Sequence, residues 1–463
     1  MDLLLTHGYF LADDPKEARI MKPYAPLGIL YLSSHLRRAG FDVEVYDSTF
    51  GSREQLFRLL ETEQPAVIGI YGTLMTRPGV LAVAREAKAR GWKVVLGGPE
   101  PANYAAEYLA AGADVIVEGE GERTLEDLLA LARLGQWDGA GLRRIAGIHF
   151  DDGGVVFAGP RDMIPDLDAQ PWPDRERIGI ERYLDAWRQR HGQGSVSVIT
   201  ARGCPYHCRW CSHSTYGKTH RRRSAVGVAD EVEWILERYS PEMLWFADDV
   251  FTIHHGWISE YSSEVKRRKI DRPFECITRA DRLNEKMADA LAELGCFRCW
   301  IGSESGSQRM LDAMERGVTT DQVQHAVELC RQRGIQTGMF LMWGYEGEQL
   351  ADIEATVEHV KTCDPDVYLT TVSYPIKGTP YYDEVADRVL STGEWRETSD
   401  REAMIRGRHS RDYYKHADSL LKGEVELSRA RRVPETNGGT VALEARIAEA
   451  RRGLTLTADE VEA

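Results

Sequence analysis

The first 203 residues of this 463-residue chain contain no cysteine, and all eight cysteines fall between Cys204 and Cys363. A disulfide framework stapling the whole chain is thereby excluded, and three thiols within eight positions point to a metal site. Long apolar runs are also missing: none approaches the roughly 20 residues that cross a bilayer. The start, Met1-Asp2-Leu3-Leu4-Leu5, has an acid where a signal peptide carries positive charge. A cytoplasmic protein without a transmembrane segment is expected. Positive charge is in deficit, 58 Lys and Arg against 73 Asp and Glu for a net −15. That balance excludes a general nucleic-acid binder held by phosphate contacts, so no nucleic-acid partner is expected. Internal repeats and low-complexity tracts are absent too. What is present, 43% apolar and 28% charged residues, is ordinary for a globular chain of about three domains.

Residues 1–135 alternate short apolar strands (Leu3 to His7, Val43 to Asp47, Ala66 to Tyr71, Lys93 to Gly97, Asp114 to Glu118) with helical stretches near 27–39, 53–61, 77–90 and 101–111. Strands joined by helical crossovers imply a parallel, doubly wound α/β sheet, whose ligands sit at the carboxyl ends of the strands. Those ends carry Gly97-Gly98-Pro99 and Gly119-Glu120-Gly121, where glycine lets a bulky ligand approach the backbone. No G-x-G-x-x-G follows the first strand, which disfavours a dinucleotide site. Residues 136–194, rich in Pro, Asp and Gly, read as a linker. A second alternation over 195–383 gives six strands (Ser195 to Thr200, Met243 to Ala247, Phe274 to Thr278, Arg298 to Ser303, Ile335 to Met342, Val367 to Ser373), the count of a partial (β/α)6 TIM-like barrel. Residues 384–463 read as a helical carboxyl-terminal region: a helix from Glu394 to about Arg431, a break at Pro434 to Gly439, and a helix from Val441 to Arg452.

The loop after the first barrel strand carries Cys204-Pro205-Tyr206-His207-Cys208-Arg209-Trp210-Cys211. Three close thiolates can hold a four-iron cluster with one iron left open. A closed zinc site would need a fourth ligand, which His207 or His213 could supply. Position favours the cluster, because catalytic groups of such barrels gather at the carboxyl ends of the strands.

The spacing Cys204-x3-Cys208-x2-Cys211, with Trp210 before the last thiol, resembles the signature of the radical S-adenosylmethionine (radical SAM) superfamily. The resemblance implies a [4Fe-4S] cluster held by Cys204, Cys208 and Cys211. Its open iron would chelate S-adenosylmethionine, whose reductive cleavage yields a 5′-deoxyadenosyl radical, with a flavodoxin- or ferredoxin-type electron donor as partner. The strand ends Asp248, Arg279 and Glu304 fit the same family and become candidate S-adenosylmethionine contacts. Arg279 suits a carboxylate, and Glu304 an ammonium or vicinal hydroxyls. Each also fits a structural salt bridge. In the fifth strand's loop, Tyr345-Glu346 stands where the family usually has Leu-Pro.

The amino-terminal segments Pro26-Leu27-Gly28-Ile29-Leu30-Tyr31-Leu32, Gly97-Gly98-Pro99 and Glu118-Gly119-Glu120-Gly121-Glu122 resemble the cobalamin (vitamin B12) domain that precedes the radical domain in one subgroup. The likeness implies cobalamin, as methylcobalamin, contacted from Tyr24, Gly28, Thr73, Leu74, Gly97, Gly98, Pro99, Gly119, Glu120 and Gly121. The Asp-x-His-x-x-Gly element that supplies a lower histidine to cobalt is absent, as is usual in the subgroup, which binds the cofactor with its own base detached. Tyr24, Thr73, Leu74 and Met75 are left as lower-face candidates. Glu100 stands where a histidine commonly follows Gly-Gly-Pro.

With both cofactors, the expected reaction is methylation of an unactivated carbon in a small-molecule, lipid or natural-product substrate, a radical SAM C-methyltransferase of the EC 2.1.1 class. A cyclase or oxidoreductase using cobalamin without net methyl transfer is the alternative enzyme, and an inert cluster-bearing binding protein the alternative of another kind. Cys296-Phe297-Arg298-Cys299, Cys276, Cys330 and Cys363 read as packing thiols. Lys218 to Arg223 reads as a solvated basic run or an anion contact. His213, Tyr216 and His220 are near enough in sequence to the cluster loop to orient a substrate. Tyr413 and Tyr414 read as core.

Overall fold

A computed structural model describes residues 1–432 and 437–463. By contacts the chain divides into two units, one of Met1–Pro205, Ser212–Trp245 and Gly393–Arg401, the other of Tyr206–Cys211, Phe246–Thr392 and Glu402–Ala463.

In the first unit the strands β1 (Leu3–His7), β2 (Val43–Val45), β3 (Val67–Tyr71), β4 (Lys93–Gly97) and β5 (Val115–Val117) pair in parallel. The helices α1 (Pro15–Ile20), α2 (Leu27–Arg38), α3 (Arg53–Thr62), α4 (Arg77–Ala89) and α5 (Ala105–Ala110) lie between them in sequence, and α6 (Glu122–Arg133) follows β5. Successive side chains of a strand point to opposite faces. Accordingly Leu4, Ile68, Ile70, Val94 and Leu96 enter one core, and Leu3, Leu5, Val67, Val95 and Val117 the other. Two buried faces explain why these strands read as continuous apolar runs.

The segment expected as a linker is built into this unit. β6 (Ile148–Asp151) and β7 (Val155–Phe157) extend the sheet in antiparallel fashion, giving the order β2-β1-β3-β4-β5-β6-β7. A helix, Ile180–His191, follows and buries Tyr183, Leu184 and Trp187.

The next strands are β8 (Ser195–Val198), β9 (Ala201–Arg202), β10 (Arg221–Arg222), β11 (Met243–Phe246), β12 (Phe274–Thr278), β13 (Cys296–Glu304), β14 (Gln336–Trp343) and β15 (Val367–Val372). A six-stranded sheet has the order β15-β14-β13-β12-β11-β8, sequential as the partial barrel requires. Strands β12 to β15 pair in parallel.

Past residue 384 the helical expectation is corrected. Two short strands, Val389–Leu390 and Met404–Ile405, pair there, and the helix begins only at Arg411, running to Arg431. A second helix spans Asn437–Leu456. Of the expected break at Pro434 to Gly439, positions 434–436 lie outside the described residues, and the helix already includes 437–439. Tyr413 and Tyr414 are buried as expected.

Residues 393–401 are held by one buried cation. Arg77, at the start of α4, donates to Glu100 at 2.6 Å, to Asp400 at 2.7 Å and to the carbonyl of Thr398 at 2.9 Å. Tyr104 and Trp395 flank its guanidinium at 4.6 and 5.0 Å. Glu100 is therefore occupied by Arg77 and by the Tyr108 hydroxyl, which donates to it at 2.6 Å. The departure from histidine is thus matched by a structural ion pair. Arg77→Ala is expected to cost about 3–5 kcal/mol, because it strands two buried carboxylates. Urea unfolding of wild type and variant checks the figure, and limited proteolysis should then cut first within 393–401.

Candidate functional site

In the first unit, the carboxyl ends of β3, β4 and β5 and the first turns of α2 and α6 enclose a slot. Gly28, Leu32, Tyr71, Gly97, Gly98, Gly119, Glu120, Gly121, Arg202 and Tyr216 line it. Two of the glycines shape the slot differently. Gly98 has φ +107°, and a β-carbon there would meet the Gly72 carbonyl oxygen at 2.4 Å. Gly28 lies in α2 with ordinary helical geometry, and its missing side chain leaves the Tyr71 ring 3.6 Å from where a β-carbon would sit. Walls of glycine, aliphatic carbon and aromatic rings leave room for a flat, largely apolar group, such as the detached base of cobalamin.

Thr73 instead closes a local turn, its amide donating to Thr76 Oγ1 at 3.0 Å. Tyr24 and Met75 border a separate cleft of the same unit, with Gly8, Tyr9 and Arg401. Thr73, Leu74, Pro99 and Tyr24 are not among the residues lining the slot.

Glu120 borders the slot, but its carboxylate is already engaged. It accepts from Arg202 at 2.6 Å, from Arg221 at 2.8 Å and from the Ile164 amide at 2.7 Å. These bonds lower its pKa against the opposing effect of burial. β9 and β10 form the base of the cysteine loop, Arg202 pairing with Arg221 and Ala201 with Arg222. Glu120 thus clamps both strands of that base through their arginines. Glu122 adds a 2.6 Å bond to Arg202, which also lies 5.2 and 5.6 Å from the Tyr31 and Tyr216 rings.

In the second unit, Cys208 is buried and Cys211 exposed, and the Cys211 amide donates to the Cys208 carbonyl at 3.1 Å. Cys204, in the first unit, is half-buried. Two guanidiniums reach the Cys208 sulfur, Arg316 at 3.6 Å and Arg279 at 3.9 Å. Arg279 is fixed on every side: it donates to Asp281 at 2.8 Å and to the Arg316 carbonyl at 2.9 Å, and its guanidinium lies 3.6 Å from the Tyr206 ring centre. The positive charge of the two guanidiniums complements an anionic cluster held at that sulfur. The donor set therefore fits an iron-sulfur cluster.

Glu304 ends β13 with φ +60°, a strained backbone for a non-glycine residue. Its carboxylate lies 3.8 Å from Arg316. Burial raises its pKa, outweighing Arg316 and Arg279. A buried carboxyl in that condition gains from an arriving ammonium or hydroxyl donor, which fits S-adenosylmethionine. Asp248, 2% exposed, is buried just beyond the end of β11.

Sequence reasoning missed Arg316, Tyr71 and Arg202, and Tyr216, expected near the cluster loop as a group that could orient substrate, lines the slot. Arg202 had a usable signal in its place two residues before Cys204. Arg316 had none, since it follows a helix outside any motif.

The loop after β14 holds a second perturbed carboxyl. Burial pushes Glu348 up to about 8. Its Oε2 accepts from the Gly344 amide at 2.7 Å, while Oε1 has no hydrogen-bond partner among the described residues. Below the ordinary carboxyl value of 4.5 the side chain is neutral in both folded and unfolded chains. As pH rises from there through about 8, the unfolded chain releases its proton first, so stability falls. Glu348→Gln should flatten that decline, as thermal unfolding of both proteins across the interval would show.

Comparison with known proteins matches two domains of this chain. Residues 18–129 match the model of the B12 binding domain, and residues 198–360 match that of the Radical SAM superfamily. An uncharacterized methyltransferase of Pyrococcus horikoshii is 29% identical over 399 residues, covering 83% of each chain. An anaerobic magnesium-protoporphyrin IX monomethyl ester cyclase of Rubrivivax gelatinosus is 26% identical over 385 residues, covering 80% of this chain and 68% of the relative. The fold matches the radical S-adenosylmethionine methyltransferase TsrM of Kitasatospora setae, solved with cobalamin and a [4Fe-4S] cluster. That match has a TM-score of 0.67 at 22% identity and covers 85% of this chain and 77% of the other. No helix among the described residues is long and apolar enough to cross a membrane. The chain thus carries a B12-binding domain followed by a radical SAM domain.

Proposed function

We propose that this chain is a cobalamin-dependent methyltransferase that places a methyl group on an unactivated carbon of a small-molecule, lipid or natural-product substrate. The observation that carries the radical half is the convergence of Arg316 and Arg279 on the Cys208 sulfur, with the buried Glu304 beside Arg316. The glycine slot of the first unit supports the cobalamin half. When bound, the cluster and S-adenosylmethionine supply a radical that takes hydrogen from the substrate carbon, and cobalamin carries the methyl group.

The residues' part is binding and orientation. Cys204, Cys208 and Cys211 hold the cluster. Arg279, locked by Asp281 and Tyr206, and Arg316 hold two cations in place, so a carboxylate arriving near Cys208 meets preorganised positive charge. Glu304 takes the ammonium or ribose hydroxyls, and Asp248 is assigned to the same cofactor. Gly28, Gly97, Gly98, Gly119 and Gly121 hold the nucleotide end of cobalamin. Glu120 borders the slot, while its carboxylate holds the base of the cysteine loop. Tyr24, Thr73 and Leu74 are kept as contacts outside the slot. A flavodoxin- or ferredoxin-type protein is the proposed electron donor.

The cyclase relative keeps one competing reading in play, cobalamin chemistry without net methyl transfer. Anaerobic protein supplied with reductant, cobalamin and S-adenosylmethionine labelled in its methyl group separates them. Methyl transfer predicts cobalamin-dependent release of S-adenosylhomocysteine. 5′-Deoxyadenosine alone, with cobalamin bound and no S-adenosylhomocysteine, would select the cyclase-type reading.

A further inference from the structure

β13 departs from regular pairing twice. Against β12 it carries Phe297 as an extra residue, and against β14 Gly302 faces Phe340 while Glu304 already faces Leu341, so Ser303 is left without a partner in the ladder. The second fault bears on the site, because a bulge re-aims the side chains around it. Glu304, next in the chain, takes φ +60°, and its carboxylate comes to lie 3.8 Å from Arg316. A non-glycine residue keeps such a backbone only where its surroundings over-determine it.

One face of the helix Leu350–Cys363 supplies those surroundings. Asp352, Thr356 and His359 recur at i, i+4 and i+7, the spacing that brings side chains onto one helix face. Each meets one of three alternate serines. Ser307 donates to Asp352 at 2.6 Å, the Ser305 hydroxyl lies 3.1 Å from that of Thr356, and the Ser303 hydroxyl lies 3.2 Å from His359 Nε2. The remaining partners fix the directions. Thr356 gives its own hydrogen to the Asp352 carbonyl at 2.8 Å, so its oxygen accepts from Ser305 and from the Gly306 amide at 2.9 Å. Ser305 Oγ accepts in turn from the Ser307 amide at 3.1 Å. Burial keeps His359 neutral, pushing its pKa down to about 4. The Gln324 side-chain amide donates to its Nδ1 at 3.4 Å, which leaves the Nε2 hydrogen for Ser303.

None of these six serine, aspartate, threonine and histidine side chains is more than 8% exposed. A row of buried polar groups is costly wherever a partner is missing, and packing alone is served better by apolar residues. What the row secures is the course of the backbone. Both chain neighbours of Glu304, Ser303 and Ser305, are tied to the helix, and Gly306 lies so close to it that a β-carbon there would meet the Ala355 carbonyl oxygen at 2.5 Å.

We propose that Thr356 and His359 are positioning residues for S-adenosylmethionine, holding the backbone on either side of Glu304 so that its carboxylate meets the cofactor's ammonium or ribose hydroxyls. This role rests on the assignment of Glu304 to S-adenosylmethionine, and both residues act through that carboxylate.

The test uses the full chain, loaded anaerobically with its cluster, and compares Glu304→Ala, Thr356→Val, Thr356→Ser and the double variant Glu304→Ala with Thr356→Val. Equilibrium dialysis with labelled S-adenosylmethionine gives Kd, and iron content and Tm are measured on the same samples. Thr356→Val keeps the shape of the side chain and deletes the hydroxyl. It should keep its iron and weaken binding by about tenfold, the scale of losing an outer partner of a cofactor-binding group. Thr356→Ser, which restores the hydroxyl, should bind as wild type does. The double variant should bind no more weakly than Glu304→Ala alone, because without the carboxylate its placement has no further effect. Should Thr356→Val fail to fold, Ser303→Ala, which deletes only the hydroxyl facing His359, is read against Glu304→Ala in the same way. Wild-type binding in Thr356→Val beside weakened binding in Glu304→Ala would overturn the positioning role alone, as would losses that add in the double variant. Wild-type binding in Glu304→Ala would overturn the assignment of Glu304 to the cofactor, and this role with it.

Discussion

Cys208→Ala should bring formation of 5′-deoxyadenosine from S-adenosylmethionine below detection, and no substrate carbon should then be activated. Cys208 is the motif thiol onto which both buried cations converge, from 3.6 and 3.9 Å. Removing its sulfur takes away a cluster ligand and leaves two desolvated guanidiniums facing a void. The measurement is liquid chromatography of an anaerobic reaction with reductant, beside the iron content and absorption of the same sample. Arg316→Ala separates ligation from orientation. It should leave the iron content near that of wild type and lower cleavage by about 10–100-fold, with a raised KM for S-adenosylmethionine. Loss of iron in the Arg316 variant would instead make that residue a support of the cluster loop.

Gly28→Leu should leave the fold intact and empty the first unit of cobalamin. Gly28 is helical, so leucine improves local propensity by up to about 1 kcal/mol. A β-carbon there finds only the Tyr71 ring, at the ordinary distance of 3.6 Å. The remaining carbons would extend into the slot between Gly28 and Gly98 and occupy the place proposed for the cofactor's base. The expected result is an unchanged or higher Tm, cobalamin occupancy reduced at least about tenfold, and retained 5′-deoxyadenosine formation with loss of S-adenosylhomocysteine. Gly98→Val serves as the contrasting case. Its φ of +107° and the 2.4 Å approach to the Gly72 carbonyl mean that it should lose stability as well as cobalamin. If Gly28→Leu bound cobalamin at full occupancy, the slot would not be where the cofactor's base lies.

The sequence was most readable where burial is two-sided or a motif is local. Leu3–His7, Lys93–Gly97 and Phe274–Thr278 appear as expected because apolar runs bounded by turn residues leave little choice of strand. The hairpin Ile148–Phe157 escaped because its strands are short and half-exposed, Val155 and Phe157 lying open to solvent. The segment 394–410 was misread as helix because its composition permits one, whereas Asp400 is drawn into the Arg77 ion pairs, 323 positions away. Local propensity carries no trace of such a contact. In the candidate sites, Cys208, Arg279 and Glu304 stand on a motif or a strand end, which is what makes them candidates from sequence. Arg316 and the gathering of Cys276, Cys296 and Cys299 were not, because the former sits outside any pattern and the latter turns on one extra residue in β13.

The central claim is that one chain holds both a radical SAM cluster and cobalamin. Anaerobic purification of the unmodified chain, with iron, sulfide and cobalamin quantified on one sample, tests it most directly. The account predicts about four irons, about four sulfides and about one cobalamin per chain. Near-stoichiometric iron and sulfide with no cobalamin, even after incubation with excess cofactor, would contradict it.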